Sequence, residues 1–559
     1  MKRCPQCRRD YYDETLTYCL DDGAVLLNGP AAEDNPTAFL PDLIAFKEEK
    51  TRRFSAADAV PGEVLRQKRK ALVLIAGVVL LASFGAGAYL FLGRSESANR
   101  RIDSIAVMPF VNDGNADTEY LSDGMTESLI GSLSQISNLN VRARNSVFRY
   151  KGKEFNVQNV GNELNVDAIL TGEVAQHGPD ISLFVELIDA ATNSVVWSER
   201  YDRPLTNLIV LQRDLARDVS NELKAKLSGS DEQKLEKVYT ANVDAFNLYM
   251  QGRYYWNKRN GQDVLRSVDY FKQAIDLDPN YALAYSGLAD AYSIVPSYAS
   301  GRPDEYFPKA EAAAQRALEL DESLAEAHTA LARVLFAYHW NFAESDKEYR
   351  RAIELNPNYP TAHHWYGDAN LLRTGRFEEA IGELRRAREI DPLSLAINTD
   401  LGQAYMLVGR NDEAIDQLTK TVAMDERFHY AHHMLGQAYQ MKGLLPAAIA
   451  EYERARQLST DPYMIMLLAQ AYALKGDRGE ALKYLAELKE VSARVYVPPT
   501  EFAAVYTALG DRDQAFQWLD KSFQDRGQEL TRLKIDPFLA PLRGDPRFRE
   551  LIKKVGLPE

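Results

Sequence analysis

Cysteine is nearly missing from this chain. Of 559 residues only three are Cys, and all lie within the first nineteen, so no disulfide framework can brace the remainder. Positive charge is also in deficit: 66 Lys and Arg face 80 Asp and Glu, a formal net charge of −14. Nucleic acid is therefore not expected as a partner, because phosphate binding needs Lys and Arg clustered on one face. The signatures of common catalytic sites are missing too. There is no phosphate-binding Gly-rich loop ending in Lys, no Gly-x-Ser-x-Gly elbow, no His-Glu-x-x-His and no kinase catalytic loop, and on that ground the chain is expected not to be an enzyme. The segment Asp113, Asn115, Asp117 has the start of a calcium-loop spacing, but Thr118 stands where the sharp turn wants Gly. Apolar residues make up 46% and charged residues 26%, which is ordinary for a folded chain of several domains.

One long uncharged run is present. Residues 71–93, ALVLIAGVVLLASFGAGAYLFLG, carry no charge; at 1.5 Å per residue such a helix exceeds the roughly 30 Å hydrocarbon core. This predicts a single transmembrane helix. It starts too far from the amino terminus to be a cleaved signal peptide. Arg66, Lys68, Arg69 and Lys70 precede it, while Arg94, Arg100 and Arg101 follow, and the asymmetry favours a cytoplasmic amino terminus and an extracytoplasmic, periplasmic remainder at the inner membrane. Ser83 and Gly87, with Ala82 and Ala86, form small-xxx-small spacings that could pair two copies as a homodimer, although small residues are common in membrane helices in any case.

Before that run, CPQCRRDYYDETLTYCLDDG places Cys4 and Cys7 in one knuckle and Cys19 in a second, followed by Asp22. Two Cys-x2-Cys knuckles let four thiolates reach one tetrahedral zinc. Here the second reads Cys-x2-Asp, and no histidine occurs before His177, so the expected zinc ligands are Cys4, Cys7, Cys19 and Asp22, with water as the alternative fourth. The stretch 1–27 resembles a short zinc ribbon, lacking its fourth cysteine. Residues 28–70, mixed and without periodicity, read as a linker.

From residue 101 to 227 short apolar strands alternate with helical patterns, which predicts a compact α/β domain. The strands expected are SIAVMPF, LNVRAR, AILTGEVAQ, ISLFVELIDA and VVWSERYD, with helices after Asp123, near Val157–Leu164 and from about Leu208 to Leu227. The words IAVMPF, EYLSDGMTESLI, RNSVFRYKGK, ILTGEV, ELIDAATNSVVWSERYD and LQRDLA resemble the TolB-like amino-terminal domain found beside tetratricopeptide repeats in bacterial membrane proteins. That resemblance implies a non-catalytic protein-binding or sensing domain outside the cytoplasm.

The rest of the chain repeats. Gly252, Ala289, Ala332, Gly367, Gly402, Gly436, Ala469 and Ala503 recur at a period near 34 residues, and Ser267, Ala310, Ser345, Ala380, Ala414, Ala448, Ala481 and Ala515 keep the same rhythm. Each unit thus holds two antiparallel helices whose small faces meet at close approach. Large residues flank the crossings, among them Tyr292, Tyr405, Tyr439, Tyr472 and Tyr506, and Pro279, Pro357 and Pro392 close their units, with Glu322 and Glu426 replacing the proline elsewhere. The stretches LGQAYMLVGRNDEAIDQL, LGQAYQMKGLLPAAIAEY and LAQAYALKGDRGEALKYL resemble the tetratricopeptide repeat family. That resemblance implies an all-α superhelix of about eight units over 242–525, with 526–559 as a closing helical segment.

Asp290, Arg333, Asp368, Gln403, Gln437 and Gln470 share one column of the repeat, immediately after the small residue. In the family that column faces the concave groove. Amides and charges arrayed there, with His433 beside them, suit an extended peptide that offers one donor and one acceptor per residue; a solvated surface without ligand is the competing interpretation. His429 and His433 share a helix face, and His328, His363, His364 and His432 occupy related columns. Histidines at i and i+4 could chelate a transition metal, but His364 and His433 fall two units apart, too distant for one ion, and a polar groove explains them better. The chain is thus expected to be a membrane-anchored scaffold binding a protein or peptide, with a transmembrane sensor as the alternative.

Overall fold

The computed structural model describes residues 102–558, apart from 114–117, 224–227 and 300, together with three short strands near the amino terminus. Those strands, β1 Lys2–Arg3, β2 Asp10–Tyr11 and β3 Leu27–Asn28, pair antiparallel with β1 in the middle. Cys4, Cys7, Cys19 and Asp22 lie outside the described residues, as does the run 71–93. Among the described residues no helix is long and apolar enough to cross a membrane, and no group of acidic, His or Cys side chains could hold a metal.

The α/β domain is built on a mixed sheet. Its strands are β4 Ser104–Val107, β5 Val111–Asn112, β6 Asn140–Val141, β7 Ala168–His177, β8 Asp180–Asp189 and β9 Ser194–Pro204. β4 runs parallel between β6 and β7, and β7, β8 and β9 continue as an antiparallel meander. Alternation explains the meander: Ile181, Leu183, Val185 and Leu187 of β8 are fully buried, while the residues between them face outward. Helices Glu119–Ser134, Val157–Leu164 and Leu208–Glu222 supply the rest of the core through residues such as Leu129, Leu133, Val160, Leu211 and Leu215. Two expectations are corrected. The segment LNVRAR is a strand only at Asn140–Val141 and then turns into the helix Arg144–Phe148, because Arg142 is drawn inward to the carbonyls of Leu164 and Asn165. The last helix stops at Glu222.

Eight antiparallel helix pairs follow, from Val243–Asn257 with Gly261–Leu277 to Pro499–Ala508 with Arg512–Gln524. The small residues do what close packing requires. A Cβ added to Gly402 would sit 2.6 Å from Leu418, and one added to Gly436 would sit 2.5 Å from the Tyr452 ring; the partner helix occupies the space a side chain would need. Ala332, Ala380, Ala414, Ala448, Ala469 and Ala515 are all fully buried. The first helix of the fourth unit, Pro360–Trp365, continues as a π turn over Tyr366–Leu371.

After the eighth pair the chain does not form one closing helix. Two 3-10 turns, Gln528–Arg532 and Pro537–Leu542, precede the helix Pro546–Val555. Pro537 and Pro541 remove backbone donors and forbid a continuous helix. Leu530, Leu533, Leu539 and Leu542 are buried in a cluster that also holds Phe336, Ala369 and Ala503, so the segment turns back against earlier units.

The α/β domain is seated on the array. Ser146 Oγ and Asn145 Nδ2 donate to the Asp391 carboxylate at 2.6 and 2.9 Å, and the Ala143 amide donates to the Ile390 carbonyl at 3.1 Å. Asn358 Nδ2 donates to the carbonyls of Ser134 and Leu139 at 3.3 and 3.2 Å. Asp391 is fully buried, and burial raises its carboxyl above the ordinary range against the lowering effect of Ser146 and Asn145.

Candidate functional site

The predicted groove column lies on the first helices of the units, and little of it is open. Asp290, Gln403, Gln437, Gln470 and His433 are each less than a tenth exposed. At the amino-terminal end Asp290 accepts from Arg253 at 3.4 Å, and Arg253 in turn pairs with Glu127 of the α/β domain at 2.8 Å. Burial pushes the Asp290 carboxyl up to about 7, opposed by Arg253 and Arg259. In the middle, the Arg333 guanidinium lies 4.9 Å from the Trp365 ring and donates to the Ser293 carbonyl, and Asp368 pairs with Arg373 at 3.3 Å.

Toward the carboxyl end the inner side meets the chain's own 528–542 segment. Arg373 donates to Thr531 Oγ1 at 3.1 Å, and the Arg532 guanidinium lies beside the Tyr463 hydroxyl, which accepts from Gln437 at 3.3 Å. His433 lies between Tyr430 and Tyr463, edge-on to the first and tilted to the second, with ring centroids 4.9 and 5.3 Å away. Burial first, then His429 and Arg532, hold its imidazole well below the usual range, so it is neutral. Its Nδ1 and the Gln470 Oε1 have no hydrogen-bond partner among the described residues. Sequence reasoning placed these residues together but missed the occupant, whose contacts come from irregular backbone with no periodic signature.

Three other histidines, His328, His363 and His432, are clips between units. His328 Nδ1 meets Glu348 at 2.5 Å and its Nε2 meets the Glu322 carbonyl at 3.0 Å. His363 does the same with Glu383 and the Pro357 carbonyl, and His432 with Glu451 and the Glu426 carbonyl. In the unit between, Asn398 bonds the Pro392 carbonyl and Gln417. Each clip ties the unit-closing residue, proline or glutamate alike, to the first helix six positions on and to the second helix beyond. Aligning the closing residues would have shown that constant spacing.

Comparison with known proteins bears on each region. Residues 338–394 and 371–438 match tetratricopeptide repeat families. Residues 100–218 match the family described as HilA/YgeH-like transcriptional regulator, second domain, and this replaces the TolB-like domain expected for that stretch. A run of 235 residues is 32% identical to "Putative adenylate cyclase 3" of Rhizobium meliloti (strain 1021), covering 42% of this chain and 40% of the relative. The chain thus spans about two fifths of that relative's length. Among solved structures, one titled as a functional characterization of Pseudomonas aeruginosa pilF is 21% identical over 38% of this chain and 92% of its own, with a TM-score of 0.31. Another, YrrB, titled a TPR protein with an unusual peptide-binding site, is 22% identical over 35% of this chain and 94% of its own, with a TM-score of 0.26. The expectation that the chain is not an enzyme is corrected by the relationship to a cyclase. Missing signature motifs were its sole basis, and catalytic sites are defined by geometry and roles that no short list of motifs exhausts.

Proposed function

We propose that the chain is a protein-interaction scaffold whose inner array face receives a short, non-helical polypeptide segment. One observation carries this: the chain's own 528–542 stretch lies against that face, held by the Arg373 bond to Thr531, with Arg532 beside Tyr463. A partner segment would compete for the same contacts. Tetratricopeptide repeats, which the array matches, are a frame for binding protein or peptide. Crosslinking in native membranes followed by identification of bound proteins tests the reading. Arg532→Ala is expected to increase partner yield by weakening the internal occupant, whereas Gln403→Ala, Gln437→Ala and His433→Ala combined should lose the partner. Undiminished yield from the triple variant would place binding elsewhere.

The scaffold is proposed to be anchored through 71–93 at the inner membrane, with the amino terminus cytoplasmic and the array periplasmic. Reporter fusions after residues 60 and 230 test this, and cytoplasmic signal from the second would refute it. The amino-terminal module is proposed to hold zinc through Cys4, Cys7, Cys19 and Asp22. Zinc in the purified chain should be about one equivalent and fall sharply in Cys4→Ser, with a smaller loss in Asp22→Ala; equal metal in Cys4→Ser would dismiss the site. The sensor reading is favoured by one feature, the cavity that lies where the α/β domain meets the array.

A further inference from the structure

Unpartnered polar groups converge at that cavity. It has a volume of about 250 Å³, below the roughly 300–1,000 Å³ of sites for drug-sized ligands. Its wall includes Asp290, Ser286 and Trp256, which are 1%, 2% and 3% exposed. Among the described residues Asp290 Oδ1, Ser286 Oγ and Trp256 Nε1 have no hydrogen-bond partner, although buried polar groups in folded proteins are nearly always paired.

Charge is distributed unevenly around the wall. Arg253 is committed, bonded to Glu127 at 2.8 Å and to the other Asp290 oxygen, Oδ2, at 3.4 Å. Arg259 is not. It sits in the turn between the first two array helices with φ at +52°, and its guanidinium lies 3.6 Å from the centroid of the Trp256 ring. Among the described residues neither Arg259 nor Glu326, a third charged group on the wall, is in an ion pair. The opposite charges of Arg259 and Asp290 act on each other across this space.

A lone anion would satisfy Arg259 and leave two carboxylates facing a desolvated site; a lone amine would satisfy the carboxylates and leave Arg259. A molecule carrying both groups satisfies all three. We propose that this cavity binds a small zwitterion of the free amino acid class, its carboxylate on Arg259 and Trp256 Nε1, its ammonium between Asp290 and Glu326. The α/β domain contributes Glu127 and Gly124 to the same wall, so the ligand would bridge the domain and the first units of the array. The inference goes beyond the scaffold reading, and the two fail separately, because no protein partner enters the test.

The purified full-length chain is unfolded thermally in the presence of each free amino acid in turn, and calorimetry follows for those that raise Tm. At least one amino acid is expected to bind. Its decarboxylated amine and its deaminated acid should each bind about tenfold more weakly or worse, because one end of the site is then left unpaired. Arg259→Gln, at a partly exposed turn, should weaken binding by a similar factor with Tm of the free chain nearly unchanged. Ser286→Val, which adds bulk to the wall, should weaken binding while circular dichroism stays native. No binding by any amino acid would overturn the proposal. So would equal binding of the amine or of the acid alone, or undiminished binding in both variants.

Discussion

The two ends of the array's inner face are built on the same repeat column and put to different use. At the amino-terminal end Asp290 joins Arg253 and Glu127 in an ion-pair network beside a cavity under the α/β domain. At the carboxyl end Gln437 and His433 lie among Tyr430, Tyr463 and Arg532, where the chain's own tail fills the space. A repeat fixes where a residue stands; what covers that place decides its chemistry. Equivalent columns therefore cannot be assigned one role by alignment alone.

Breaking the carboxyl end most severely requires attacking a helix crossing. Gly436→Leu would drive a side chain into Tyr452, where even a Cβ comes within 2.5 Å. Overpacking costs typically about 1–3 kcal/mol and in a solenoid spreads to neighbouring interfaces. Thermal unfolding should show a clearly lowered, less cooperative transition; a wild-type profile would mean that the crossing relaxes without loss.

A smaller effect, confined to the seat of the α/β domain near the middle of the array, is expected of Asp391→Ala. Ser146 and Asn145 lose the carboxylate they share, and leaving buried donors unpaired costs about 1–3 kcal/mol. Hydrogen exchange should rise in Arg144–Phe148 while the last four units stay protected. Uniform destabilisation of both ends would show that the α/β seat and the distant units unfold as one, and would erase the contrast drawn above.

The subtlest test lies between them. Burial lowers the pKa of His328, but the bonds to Glu348 and to the Glu322 carbonyl outweigh it, so the folded value is raised. Its stabilisation is fully present below the unfolded pKa, near 6.5, and is lost as pH rises through the folded value. Glu348→Gln should flatten that decline by less than about 1 kcal/mol, measured as denaturant midpoint against pH. An unchanged slope would assign the pH dependence to other groups, Asp290 first.

How much of this was legible varies with the physics involved. Helix pairs were readable because close crossings restrict positions such as Gly402 and Ala448 to small residues, and β8 because alternate residues must turn inward. The tail was not. Leu530, Leu533, Leu539 and Leu542 recur in multiples of three, outside the 34-residue rhythm that marks the helix pairs, although Pro537 and Pro541 already argued against a closing helix. The burial of the predicted column was invisible, since it depends on two distant segments folding over it. Arg259 gave no signal at all: an arginine in a turn is ordinary until its neighbours are seen to leave it unpaired.

The tail's attachment has a quantitative consequence. A segment joined to its own groove is present at an effective concentration set by chain geometry, commonly about millimolar for short connections, and dilution of the protein does not change it. Any outside polypeptide must outcompete that fixed local supply. Its apparent affinity is then weaker than its intrinsic affinity by a factor the tail determines, so that small changes at Arg532, which belongs to the tail and not to the partner, would retune occupancy across the whole population.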